Sequence, residues 1–132
     1  MSLKVINPPA LGRPRGYANG LLTPPGVRVL FVAGQIGWDE SHRLVGEDFV
    51  EQFARALRNV LAVVGEAGGA PGSVGRMTVY VTDRREYAAR RAEIGERWRE
   101  LMGRHYPAMT LVEVSGLLED GAKVEIEATA VL

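Results

Sequence analysis

Few residues of this chain could do chemistry, and their spacing excludes several mechanisms at once. The two histidines, His42 and His105, fall in separate loop-like stretches; with no cysteine and no HxxE-type spacing, nothing reads as a metal site. Gly65, Gly68-Gly69 and Gly72 follow a helix-like stretch rather than a strand and lack a Gly-Lys-Ser/Thr ending, so they do not cradle phosphate. Ser2, Ser41, Ser73 and Ser115 have neither an elbow sequence nor an adjacent base, and no nucleophile is assigned. Single polar residues such as Tyr17, Gln35 and Glu125 remain, and their use depends on the elements that bring them together.

Composition bounds the partners. Sixteen basic residues balance sixteen acidic ones, so the chain lacks the positive field that draws a nonspecific nucleic-acid or acidic-membrane binder to phosphates. A small-molecule ligand or neutral partner fits better, and no cofactor is implied. Fourteen of the sixteen basic residues are arginine, which reads as compositional bias or thermal adaptation rather than phosphate recognition. No apolar run reaches transmembrane length, and Met1–Asn7 is too short and Pro-bounded for a leader, so a cytoplasmic protein away from the membrane is expected. At 132 residues the expectation is one domain, 1–132, burying roughly two-thirds of its unfolded surface without metals or disulfides.

The elements follow from periodicity. Leu3–Ile6 reads as a short strand entering a Pro- and Gly-marked loop before Tyr17, and Val27–Ala33 as a buried strand after Pro24-Pro25-Gly26. Trp38–Gly46 suits a hairpin-like excursion. From Glu47 to Ala67, Phe49, Phe53, Leu57, Val60, Leu61 and Val64 recur at helical spacing, with Glu51, Gln52, Arg55, Arg58 and Asn59 assigned to the opposite face. Gly68-Gly69 ends this helix. Val74–Val81 is a strand with Met77, Val79 and Val81 on one face and Arg76, Thr78 and Tyr80 on the other. A second helix, about Arg84–Met102, capped by Thr82 or Asp83, carries Tyr87, Ile94, Trp98, Leu101 and Met102 on one stripe, with Glu86–Arg90 and Glu93–Arg97 as outer pairs. The last strands are about Met109–Ser115 and Ala122–Val131, the latter alternating Val124, Ile126, Ala128 and Ala130 against Glu125, Glu127, Thr129 and Val131.

The order is roughly βββαβαββ, an α+β arrangement in which two helices cover only one sheet face. The other face, with Thr78, Thr110, Val112, Glu125, Glu127 and Thr129, is too ordered for plain solvent and too mixed for a monomer core. A sheet-to-sheet subunit interface accounts for it, with a solvated monomer face as the alternative.

Gly16-Tyr17, Gly34-Gln35-Ile36, Val79-Tyr80-Val81 before Asp83, Pro107-Ala108, Val112-Glu113-Val114 and Glu125-Ile126-Glu127-Ala128 together span nearly the whole chain. In order and spacing they resemble the RidA/YjgF family, also called the endoribonuclease L-PSP family, of small trimeric enamine/imine deaminases. The resemblance implies a chorismate-mutase-like fold, a homotrimer closed around an internal barrel, and a ligand cleft between two subunits. Carried over residue by residue, Tyr17 supplies a ring wall and a hydroxyl, and Gly34, Gln35 and Ile36 shape the cleft. Glu125 orients water or a proton, while Met109 and Thr110 lie along the substrate-binding strand. Each has a structural alternative: Tyr17 as a loop anchor, Gly34 for its backbone, Glu125 paired with an arginine across the interface.

The position of Met109 is typically an arginine that grips the substrate carboxylate in that family. A thioether offers neither charge nor strong donor in place of a two-pronged guanidinium. Ala33 stands where the family commonly has serine, and Gly37-Trp38 replaces the usual proline, so the cleft reads as more apolar. Arg13 and Arg15, near Tyr17, are the candidate replacement cations. Two other readings stay open, a non-catalytic ligand-binding or regulatory trimer and a ribonuclease or translation inhibitor; zero net charge disfavours the second.

Overall fold

The computed structural model describes residues 3–132, so Ser2 and the start of the segment excluded as a leader lie outside the described residues. A four-stranded mixed sheet carries the fold, in the order β3 (Val29–Ile36), β6 (Val124–Val131), β4 (Val74–Val81), β5 (Ala108–Glu113). β6 runs antiparallel to both β3 and β4, whereas β4 and β5 are parallel. A separate antiparallel pair joins β1 (Lys4–Ile6) to β2 (Gly20–Leu22). β2 lies after the loop that precedes Tyr17, in a stretch to which the sequence assigned no element; three residues carry too little alternation to announce a strand.

α1 (Phe49–Glu66) begins where the Asp48 carboxylate accepts from the Glu51 N–H at 3.0 Å, two residues later than periodicity suggested. Its apolar stripe, Phe49, Phe53, Leu57, Val60 and Val64, packs with Met77, Val79, Val81, Val124 and Ile126 in one core. Each fully buried large side chain contributes about 1.5–3 kcal/mol relative to exposure. The alternation expected for β4 is observed, and that of β6 holds except that Val131, at its end, is buried.

Three expectations for the helices fail, on the continuity of the second helix, its outer ion pairs and the place of Gln52. The second helix is two segments, α2 (Arg84–Ala89), capped by Asp83, and α3 (Arg91–Met102), because Arg90 leaves helical geometry at φ −107°, ψ 19°. Instead of pairing with Glu86, Arg90 donates to Asp48 at the head of α1 and to Glu93; Arg97 pairs with Glu51 and Glu100. These contacts tie α3 to α1. Gln52, assigned to the outer face of α1, is completely buried. Its amide donates to the carbonyls of Gly46 (2.8 Å) and Gly121 (3.0 Å) and accepts from the Lys123 N–H (2.8 Å), so polarity misled where three loop groups needed partners.

Both long helices pack on one sheet face. The other face presents Phe31, 80% exposed, with half-exposed Thr78, Tyr80, Glu125, Glu127 and Thr129 around it.

Candidate functional site

The sequence candidates fall into two groups at opposite sheet edges. At the β5 edge, the Ala18 N–H donates to the Pro107 carbonyl at 3.0 Å, which holds the Gly16-Tyr17 loop against the start of β5. Tyr17 is 40% exposed and lines a cavity of about 460 Å3 with Arg13, Arg104, His105 and Tyr106. His105 lies in a loop as expected, and is tied down there: its Nε2 stands 2.6 Å from the Val74 carbonyl and its own carbonyl accepts from the Trp98 indole. Met109 points to the helix side of β5 and packs against the core beside Leu111, whereas Thr110, paired with Thr78, lies on the open face. Adjacent strand residues point to opposite faces, so these two candidates do not act from one side. Met109 lines a second, largely apolar cavity of about 100 Å3 with Tyr87, Arg91, Trp98, Tyr106 and Leu111. Burial raises the Tyr87 hydroxyl pKa, and the Arg91 charge partly offsets that rise, so the phenol stays a donor near neutrality.

At the β3 edge, a register shift between Val32 and Gln35 bends the strand at Ala33-Gly34. A Cβ on Gly34 would stand 2.8 Å from Glu125 Oε1, so the absence of a side chain is what lets the carboxylate lie over this bend. The Gln35 amide donates to the Ala33 carbonyl at 3.1 Å. Ile36 is buried, and what it offers the loop is backbone: its carbonyl, with that of Trp38, accepts from the Asn59 amide of α1 (3.1 and 2.9 Å). Gly37 runs against α1 so closely that a Cβ would meet the Gln52 Cα at 2.6 Å. Trp38 stacks on His42 at 4.2 Å, forming a wall beside Gln35.

The two glutamates of β6 differ. The Tyr80 hydroxyl donates to Glu127 Oε1 at 2.6 Å, a bond that raises the phenol's pKa. Glu125 makes no such side-chain bond among the described residues, which leaves it the available carboxylate. Among those residues no cluster of His, Asp or Glu could hold a metal ion, and no helix is long and apolar enough to cross a membrane.

Residues 17–132 match the family model described as Endoribonuclease L-PSP. The chain belongs to the RidA/YjgF (endoribonuclease L-PSP) family. A RutC family protein of Synechocystis is 36% identical over 134 residues, covering 100% of this chain and 98% of its own. The structure of YyfB of the Rid family from Yersinia pestis superimposes with a TM-score of 0.88 at 32% identity over 100% of both chains. Escherichia coli TdcF, solved with bound serine, gives 0.70 at 31% identity, covering 92% of this chain and 91% of that one. The α+β fold expected from the sequence is therefore the RidA/YjgF fold. Among residues that sequence reasoning passed over, Arg91, Gln52 and Asn59 stand at or behind the two groups; each reads locally as an outward polar residue of a helix.

Proposed function

We propose that the protein is a homotrimer that binds a small metabolite in clefts between subunits and hydrolyses an imine or enamine there to a carbonyl compound and ammonia. The observation that carries this reading is the separation of the candidates. Met109 lies on β5 and Gly34 and Gln35 on β3, the two edges of one sheet, three strand spacings or roughly 14 Å apart. Within one chain they make no common cleft; the edge of one subunit set against the opposite edge of the next makes one. The open face with Phe31 is the surface such an assembly would cover.

In that cleft Tyr17 and Met109 form one wall, and Gly34, Gln35, Ile36 and Glu125 the other, with Thr110 on the subunit-facing side of its strand. The carboxylate of Glu125 takes a proton from water as the oxygen adds to the C=N carbon, and the nitrogen leaves as ammonia after protonation. Net, one water is consumed and no oxidant or cofactor enters. A provisional assignment to reactive-intermediate deamination is part of the name of E. coli TdcF, 34% identical over 106 residues, and supports this class. The protein works in the cytoplasm as one domain on this reading. A binding role without turnover is the second reading, favoured by Met109 where family members typically carry arginine. Keto-acid and ammonia release from an enzymatically generated 2-imino acid tests the first: loss of turnover in Glu125→Gln supports it, and a wild type that binds serine yet accelerates nothing supports the second.

A further inference from the structure

The cation missing from position 109 has a replacement that the sequence does not reveal. We infer that Arg91, at the start of α3, holds the carboxylate of the ligand in the cleft proposed above and is a specificity-determining residue there. This inference rests on that reading of the cleft, and the following observations carry it.

Arg91 and Met109 line the same cavity of about 100 Å3, so the charge lost from the strand is available from the facing helix. Its neighbours are committed elsewhere: Arg90 is neutralised by Asp48 and Glu93, and Arg97 by Glu51 and Glu100. The Arg91 guanidinium has no ion pair and no side-chain hydrogen bond among the described residues, and no acidic residue lines that cavity. The rest of the lining is largely apolar, from Tyr87, Trp98 and Met109 to the core residues Phe53, Val79 and Ile94, and strengthens a charge-assisted bond to an anion by excluding water. Size agrees: at ~30 Å3 per water in the liquid, the cavity of about 100 Å3 holds about three waters, room for the three heavy atoms of a carboxylate. Of the two sequence candidates, Arg13 lines the larger cavity beside Tyr17, which shares only Tyr106 with that of Met109, and Arg15 lines neither.

The test is calorimetric titration of the whole protein with L-serine and with L-serinamide, which differ in the carboxylate. The wild type should prefer serine, and Arg91→Gln should lose that preference with a roughly 10- to 100-fold weaker serine affinity, the loss of one charge-assisted bidentate contact. Arg91→Lys should fall between, because an ammonium keeps the charge without the fork. The double variant Arg91→Gln with Met109→Arg should regain the preference, since the charge re-enters the same cavity from the strand; this arm also shows that the single variant is folded. Equal serine binding by wild type and Arg91→Gln, or a loss seen in Arg13→Gln instead, overturns the role of Arg91 while leaving the cleft reading intact. A wild type that binds neither probe overturns the cleft reading and the inference together.

Discussion

Replacing Gln52 by leucine tests the claim that one buried amide braces the loops behind the candidate cleft. The side chain is fully buried and joins α1 to Gly46, Gly121 and Lys123 through bonds of 2.8, 3.0 and 2.8 Å. Leucine keeps the volume and removes all three. The Gly46 and Gly121 residues are exposed, so their carbonyls recover water and the loss there is about 1 kcal/mol each. The Lys123 N–H is less open and loses about 2 kcal/mol when left unpaired. Added apolar burial offsets about 1 kcal/mol. The net expectation is a loss of about 3 kcal/mol, or a fall in Tm of roughly 10–15 °C for a domain of this size. Denaturant and thermal unfolding at one fixed protein concentration measure it, because assembly couples stability to concentration. A loss under about 1 kcal/mol would refute the reasoning and return Gln52 to the role of an ordinary helix residue.

Four shorter expectations stand beside it. Sedimentation should give a trimer at micromolar concentration, and Phe31→Glu, placing a charge on the 80% exposed ring position of the open face, should shift it toward monomer; a monomeric wild type would sink the assembly. Gly34→Val should displace Glu125 from the strand bend, where even a Cβ stands 2.8 Å from Oε1, and lower kcat for imine hydrolysis with little change in folding; unchanged kcat would remove Glu125 from the mechanism. Asp48 has a folded pKa depressed chiefly by the Glu51 N–H and then by Arg90, so its stabilisation is present above the unfolded value of about 3.9 and lost as pH falls through the folded value. Asp48→Asn should flatten the acid limb of stability against pH, read by denaturant midpoints between about pH 2 and 5. RNA binding should be weak and salt-sensitive given the zero net charge; tight binding at physiological salt, read by filter retention, would contradict it.

Local pattern determined a great deal. The stripe Phe49, Phe53, Leu57, Val60, Val64 specifies α1 because helical spacing alone places those side chains on one side, and the alternations of β4 and β6 assign their faces by the same argument. The order of the short motifs from Tyr17 to Glu125 was enough to indicate the RidA/YjgF family, which the family match over residues 17–132 bears out. Periodicity has no information about partners distant in the chain. The bonds of Gln52 to Gly121 and Lys123 and those from Arg90 and Arg97 to α1 join groups more than forty residues apart, and the two-residue pitch of a strand says nothing of which strands are neighbours. The order β3-β6-β4-β5 alone separates Gly34 and Gln35 from Met109 onto opposite edges, and only the packing of α3 over β5 brings Arg91 beside Met109. Tertiary structure decided these points because charge and polarity are read along the chain, while a site is assembled across it.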